Sequence, residues 1–109
     1  MAYRVSLSAR AEDDAYAAFE RVRKAAPMHA EKWLIRLFMT IDTLSQAPAR
    51  CPVIAEADEL GFPARQLLYG KGMGTYRILF DIREEERHVR VLRIWHSSRD
   101  ALTAADVET

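Results

Sequence analysis

Three side chains in the second half of the sequence could act on a phosphate ester: Arg65, Arg77 and His96. A guanidinium is permanently charged, and its N–H groups match the geometry of phosphate oxygens. An imidazole titrates near neutral pH, so a histidine at the end of a strand could protonate a leaving group. The alternatives are that both arginines are solvated charges or contacts to a partner protein, and that His96 caps a strand.

Further charged residues could complete such a site. Lys71 lies in a glycine-rich turn and could reach a polyanion, and Arg93 and Arg99 could add phosphate contacts. Glu56 and Glu59 lie in the acidic connection before Arg65, and the residues alone favour a solvated acidic loop for both. The spacing of His, Cys, Asp and Glu resembles no metal site, so we expect neither a metal nor another cofactor.

Charge is unevenly distributed along the chain, although the net charge is zero. Residues 61–100 contain eight Lys and Arg against five Asp and Glu, a net charge of +3, and three of those acids are the consecutive Glu84, Glu85 and Glu86. The flanking strands are therefore more basic still. Zero net charge with evenly spread charged residues would argue against a polyanionic partner, whereas the basic second half of this chain is compatible with one.

Length and composition define the class of protein. A chain of 109 residues has the usual size of one domain, so we predict a single domain over residues 1–109. The single cysteine, Cys51, cannot form an internal disulfide, and the sequence starts with no signal-peptide pattern. The apolar run at residues 33–39 is far shorter than the roughly 20 residues that span a bilayer. We expect a cytoplasmic protein without membrane contact.

The first part of the chain predicts a strand and two helices. Residues 3–8 alternate apolar and polar side chains, as half-buried strands do. Ser8 is a suitable N-cap for a helix over residues 9–26, which Pro27 ends. A second amphipathic stripe, with steps of four and three residues, predicts another helix. Its members are Ala30, Leu34, Leu37, Ile41 and Leu44. Two such helices so close in sequence pack as an antiparallel hairpin.

Residues 45–63 contain three prolines and predict a long connection with at most one short helical turn. Three strand-like runs follow at residues 64–69, 75–83 and 88–96, and their short connections predict an antiparallel meander. In the middle run one face is apolar and the other carries charges, so we expect one buried and one partly solvated face.

Two further details concern the end of the chain. Apolar side chains change parity between Val91 and Leu92, which predicts a β-bulge or burial on both faces. A short C-terminal helix could begin within residues 97–102. Together the elements predict an α+β fold of order β-α-α-β-β-β, with an N-terminal helical hairpin packed on a mainly antiparallel four-stranded sheet.

Three motifs follow one another in the second half of the chain. They are Arg65-Gln66-Leu67-Leu68, then Tyr76-Arg77-Ile78-Leu79-Phe80, then Val89-Arg90-Val91-Leu92-Arg93-Ile94-Trp95-His96 followed by Arg99-Asp100. Their order resembles that of the RelE/ParE superfamily, the toxins of type II toxin–antitoxin systems, which include plasmid stabilisation proteins. The resemblance implies the fold predicted above, a growth-inhibiting activity and a cognate antitoxin as partner.

The superfamily implies two activities, since RelE-like members cut messenger RNA in the ribosome and ParE-like members poison DNA gyrase. The first hypothesis is a metal-independent endoribonuclease whose partners are the ribosome and mRNA. In it Arg65 and Arg77 hold phosphate, and His96, at the position of the catalytic histidine of some members, is the acid. The members that use a carboxylate suggest Glu56 or Glu59 as the general base. The alternative is a gyrase inhibitor without nuclease chemistry, which the sparse lysines favour, as does Ser97 where ribosome-dependent members commonly have tyrosine. A third is an inactive homologue that binds only the antitoxin.

Overall fold

The computed structural model describes residues 2–72 and 74–107. The strands are β1 (Arg4–Leu7), β2 (Arg65–Tyr69), β3 (Tyr76–Arg83) and β4 (His88–His96), and the helices are α1 (Ala9–Ala25), α2 (Ala30–Asp42), α3 (Ala57–Leu60) and α4 (Ala104–Val107). The strand order in the sheet is β1-β4-β3-β2. Strand β1 is parallel to β4 and the other neighbours are antiparallel, which confirms the predicted α+β topology.

The helical hairpin forms where the apolar periodicity predicts it. Ser8 is the N-cap of α1, since its Oγ accepts a hydrogen bond from the N–H of Ala11 at 3.0 Å. The buried stripe of α1 is mostly alanine, and these small side chains let the helix lie close to the sheet. Helix α2 buries larger side chains on its inner face. These are Trp33, Leu37 and Ile41. No helix in the described part of the chain combines the length and apolar character needed to cross a membrane.

Other elements pack on both faces of the sheet, and the charged face of β3 keeps the predicted partial solvation, since the side chains of Asp81 and Arg83 are 25% and 46% exposed. The first face packs on the helical hairpin through β3 and β4. The second face is covered by the long connection and the C-terminal segment, which form a separate apolar cluster. Its buried members are Ile54, Ala64, Leu79, Trp95 and Leu102. The connection is rich in prolines and acids, but Ile54, Ala57, Leu60 and Phe62 from it pack in this cluster.

Strand β4 has the predicted irregularity. Val91 pairs with Phe80 and Arg93 pairs with Leu79, so Leu92 has no partner on β3 and forms a β-bulge. The strand is also buried on both faces, so both explanations of its broken alternation hold. The bulge returns Arg93 to the second face of the sheet.

The C-terminal helix exists but begins later than predicted. Residues 97–100 form a turn instead, in which the N–H of Arg99 donates to the carbonyl of His96 at 3.0 Å. Helix α4 starts after Thr103, whose N–H and Oγ1 both donate to the Asp106 carboxylate at 2.8 and 3.0 Å. The bond from the Thr103 N–H to the Asp106 carboxylate is one half of a capping box, and it marks the helix start.

The packing of α2 makes a direct prediction. Leu37 is fully buried and Met39, two residues on, is 62% exposed. Leu37→Ala should lower the free energy of unfolding by about 3 kcal/mol because it leaves a cavity, whereas Met39→Ala should change it by less than about 0.5 kcal/mol. Urea denaturation of both variants measures the difference. Equal effects would contradict the described orientation of α2.

Candidate functional site

Arg77 lies on the second face of the sheet in an ion pair with Glu56. Its Nη1 and Nη2 donate to the two carboxylate oxygens at 2.8 and 2.9 Å, and its Nε donates to Oε1 of Gln66 at 2.6 Å. The side chains of Arg77 and Glu56 are only 17% and 10% exposed. Oε2 of Glu56 also accepts from the N–H of Leu102 at 3.2 Å. The pair therefore joins β3 to the long connection and to the C-terminal segment.

This pairing has an electrostatic consequence for Glu56. The Arg77 guanidinium lowers the pKa of Glu56 from 4.5 to about 2, against the opposing effect of burial, and the N–H of Leu102 assists. A carboxylate with so low a pKa is a weak proton acceptor at neutral pH. In this geometry Glu56 holds Arg77 and is poorly suited to act as a general base. Glu59, the other candidate base, is solvent-exposed on α3.

Arg93 is held in the same way on the same face. Its Nε and Nη2 donate to the carboxylate of Asp14 at 2.7 and 2.9 Å, and its Nη1 donates to the carbonyl of Asp106 at 2.8 Å. The hydrogen bonds to Asp14 raise the pKa of Arg93 although burial opposes the shift. The Arg93 side chain is 9% exposed. Its contacts link α1, β4 and α4.

Arg65 and His96 lie on the other face. Arg65 pairs with Phe80 and His96 pairs with Tyr76, and both of those β3 residues face the helices. Arg77 lies next to Tyr76 on β3 and therefore points to the opposite face. Along β3, Phe80 and Tyr76 are four residues or about 13 Å apart. The structure does not bring Arg65, Arg77 and His96 together, and their joint catalytic role stays a prediction.

The surroundings of Arg65 and His96 differ. Nη1 of Arg65 donates to the carbonyls of Ala49 and Cys51, which anchors the long connection to β2. The His96 ring packs edge-on against Tyr76, with centroids 4.9 Å apart. Its Nδ1 accepts from the N–H of Ser98 at 3.1 Å and lies 2.6 Å from the Ser98 Oγ.

Gly74 lies directly against this histidine. A Cβ at Gly74 would come within 2.5 Å of the His96 Nε2, and the backbone there has a φ of +91°. Only glycine fits both constraints. The ring of His96 is thus held between Tyr76, Ser98 and the turn that joins β2 to β3.

Two of the predicted phosphate-binding residues are exposed. Arg99 stacks on the Trp95 ring with its Cζ 3.6 Å from the centroid, and Nε1 of Trp95 donates to the carbonyl of Asp100 at 3.0 Å. This stacking presents Arg99 at the surface in a defined position. Lys71 is exposed at the turn between β2 and β3, as predicted from its glycine-rich neighbours.

A groove of about 600 Å³ between α2 and β2 was not predicted from the sequence. It is lined by cations and aromatic or apolar side chains, including His29, Lys32, Trp33, Arg36, Tyr69 and Lys71. Only Lys71 among these was a predicted site residue. The sequence feature that could have indicated this groove is the spacing of His29, Lys32 and Arg36. That spacing places three basic side chains on one face of a helix. Among residues 2–72 and 74–107, no group of three His, Cys, Asp or Glu could hold a metal ion.

A helical hairpin packed on a sheet of this order is the architecture that the resemblance to the RelE/ParE superfamily implied. Residues 5–101 match the family described as the ParE toxin of the type II toxin–antitoxin system parDE, and the chain belongs to that family.

Solved structures agree with this fold. The chain is similar to one described as the chromosomal ParDE toxin–antitoxin system from P. aeruginosa, with a TM-score of 0.68, 16% identity and coverage of 86% of this chain and 95% of that chain. It is also similar to the toxin–antitoxin complex RelBE2 from Mycobacterium tuberculosis, with a TM-score of 0.54, 23% identity and coverage of 88% and 99%. None of the curated protein sequences matches this chain.

The Glu56–Arg77 pair predicts a pH dependence of stability. The pKa of Glu56 is about 2 in the folded chain and near its ordinary 4.5 when unfolded, so its contribution is complete above about pH 5 and is lost as the pH falls towards 2. At pH 7, Glu56→Gln should cost about 3 kcal/mol of unfolding free energy. This difference from the unmodified chain should shrink towards pH 2.

The matched control is Glu59→Gln, an exposed glutamate three residues further on. It should change stability by less than about 0.5 kcal/mol at any pH. Denaturant titrations at a series of pH values measure both variants. A Glu56→Gln difference that does not vary with pH would show that the carboxylate charge is not what stabilises the pair.

Proposed function

We propose that this toxin inhibits growth by binding DNA gyrase and carries out no nuclease chemistry of its own. Membership of the ParE toxin family supports the choice of target. The observation that carries the proposal is that Arg77 and Arg93, two of the four arginines of the central strands, are largely buried and each held by both oxygens of a carboxylate. They are thus neutralised within the fold rather than presented to a phosphate.

A ribonuclease would need a different arrangement. Cleavage through the ribose 2′-hydroxyl requires a base, an acid and positive charge around one phosphate. Here His96 and Arg77 lie on opposite faces of the sheet. For Arg77 to reach RNA, it would have to leave Glu56 buried and unpaired, at a cost of about 3–5 kcal/mol.

The exposed turn at residues 97–101 is the surface we assign to gyrase. It follows the central strand β4, and its Arg99 is held against Trp95 instead of moving freely in solvent. Ordered arginines beside aromatic residues are frequent hot spots of protein interfaces, because little side-chain entropy is lost on binding. On this proposal the toxin acts in the cytoplasm, where its cognate antitoxin neutralises it.

A paired assay tests the proposal. Purified toxin is added to a gyrase supercoiling reaction, and transcripts from cells that express the toxin are examined by primer extension. We expect inhibited supercoiling with trapped DNA breaks and uncut transcripts. Transcript cleavage with unaffected gyrase would overturn the proposal and support the endoribonuclease hypothesis, and a Glu56→Gln/Arg77→Gln variant would then show whether Arg77 takes part.

The assigned surface predicts the effect of a single charge reversal. Arg99→Glu should raise the toxin concentration needed for half-maximal gyrase inhibition by at least about tenfold, since a hot-spot arginine is replaced by a repelling charge. Arg83→Glu is the control, because Arg83 is also an exposed arginine near a strand end. It ends β3, whereas the turn at residues 97–101 lies near Tyr76, where β3 begins. Circular dichroism confirms that both variants fold. Equal inhibition by the two variants would remove the assignment of residues 97–101.

A further inference from the structure

Three arginines surround a buried histidine at one end of the sheet. In the register of the strands, His88 of β4 lies between Arg4 of β1 and Arg83 of β3. Arg90 follows two residues after His88 and therefore points to the same face, about 7 Å further along β4. Neighbouring strands are about 4.8 Å apart, so all three arginines flank one imidazole.

The cluster lies on the second face of the sheet, beside the segments that cover this face. Val89, the neighbour of His88, packs on the helical hairpin, so His88 points the opposite way. Next to the covering segments the face has a depression of about 210 Å³. Its lining residues are Phe62, Asp81, Arg83, Arg90, Leu92 and Val107. Two of the three arginines of the cluster therefore border one small cavity.

The fold supplies little negative charge to this cluster. The two ion-paired arginines of the same face have carboxylate oxygens at 2.8 and 2.7 Å. Within the described residues, Arg4 and Arg90 form no ion pair. Arg83 has only a contact of 3.7 Å with Asp81. One aspartate against three arginines leaves these four side chains with a net charge of +2.

His88 lies within this positive charge and does not add to it at neutral pH. It is 9% exposed, and its Nε2 lies 2.6 Å from the Ser6 Oγ. Burial lowers the pKa of His88, the three arginines lower it further, and Glu86 opposes them. Like charges held together without a counter-charge in the fold are the arrangement expected where an anion binds.

We propose that this depression binds a small molecule with a phosphate monoester group. The phosphate lies between Arg83 and Arg90, and Arg4 adds positive charge from β1. Guanidinium N–H groups match phosphate oxygens, and a monoester carries a charge of about −1.5 to −2 at pH 7, which the cluster balances. The organic group lies against Phe62 on the wall of the depression.

The size of the depression favours a small molecule over a nucleic-acid strand. Single-stranded nucleic acids bind in long basic grooves with several aromatic side chains for their bases, whereas Phe62 is the one aromatic residue that lines this depression in the described part of the chain. The site lies near the end of β3, away from the turn at residues 97–101. The proposal therefore goes beyond the proposed function and does not depend on gyrase as the target.

A charge-removal pair of variants tests the site. The toxin, labelled with ¹⁵N, is titrated with phenyl phosphate at constant ionic strength and followed by NMR. Arg83→Gln/Arg90→Gln should bind at least about tenfold more weakly, because both guanidinium groups at the phosphate are removed. The matched control, Lys32→Gln/Arg36→Gln, removes the same charge from the groove between α2 and β2 and should bind within about twofold of the unmodified toxin.

Unfolding measurements separate a binding role from a structural one. Without ligand, Arg83→Gln/Arg90→Gln should unfold at the same or a higher urea concentration than the unmodified toxin, because like charges are removed. Phenyl phosphate should raise the urea midpoint of the unmodified toxin and of the control, but not that of this variant. A lower midpoint of the variant without ligand would identify the two arginines as structural residues and overturn the proposal.

Sulfate tests the part played by His88, because its charge stays constant between about pH 5 and 8 whereas phosphate titrates near pH 6. A bound dianion favours the protonated imidazole, so sulfate should bind the unmodified toxin more tightly as the pH falls through this range. His88→Gln, checked for folding by circular dichroism, should lose this dependence. An affinity of the unmodified toxin that does not vary with pH would contradict an anion beside His88.

Four further results would overturn the assignment. Unaltered affinity of Arg83→Gln/Arg90→Gln, or an equal loss in the control, would exclude a specific site. Failure of the unmodified toxin to bind phenyl phosphate would do the same. Inorganic phosphate that binds as tightly as phenyl phosphate would exclude a role of Phe62 and the choice of an ester. A duplex oligonucleotide without terminal phosphates that binds more tightly than phenyl phosphate, and that the variant no longer binds, would identify a nucleic-acid surface instead.

Discussion

The burial of β4 on both faces is the constraint on which the rest of the fold depends. A strand so placed cannot leave its polar groups to solvent, so each of them needs a partner within the chain. Strand β1 supplies partners only as far as Val91. Beyond it, the start of α1 takes over: Ser8 Oγ donates to the carbonyl of Leu92 at 2.9 Å, and the N–H of Ile94 donates to Asp14 at 2.9 Å. The start of α1 thus supplies the hydrogen-bond partners that β1 does not give to β4 beyond Val91.

The two buried ion pairs follow from the same constraint. The bulge at Leu92 turns Arg93 towards the second face, where Asp14 and the carbonyl of Asp106 receive it. Arg77 is received there by Glu56. Each guanidinium thereby ties a distant part of the chain to the sheet. Arg77 and Arg93, which the sequence suggested as phosphate-binding residues, attach the segments on the second face to the sheet. The proposed gyrase-binding surface is therefore placed elsewhere, on the exposed turn at residues 97–101.

The sequence predicted the features that arise from neighbouring residues, but it did not predict those that need contacts between distant segments of the chain. The helices, the strands and the bulge came from local periodicity, which a single segment reveals. The parity of β3 also placed Arg77 on the face opposite Tyr76. Alternation could not show that Ile54 and Leu102 would cover that face, since they come from segments far away along the chain. The relative orientation of Arg65 and Arg77 depended on the register across the turn, which no local pattern encodes.

Some features of the site were visible in principle. Thr103 and Asp106 have the spacing of a capping box, which would have placed α4 correctly. The basic stripe of α2 was likewise present in the sequence, but its second wall comes from Tyr69 and Lys71 on another element. A groove formed by two elements becomes visible only when both are placed. Local patterns therefore predicted the topology, whereas they could not show which residues of different elements share a face.

The central position of β4 has a consequence for the synthesis of the protein. Strand β1, near the start of the chain, pairs only with β4, near its end, with Arg4 beside His88. Contacts between such distant segments form late and slow folding. Until β4 has been synthesised, β1 has no partner strand and Asp14 lacks the guanidinium that it holds in the folded chain. The N-terminal segments therefore stay without their partners during most of the synthesis of this domain.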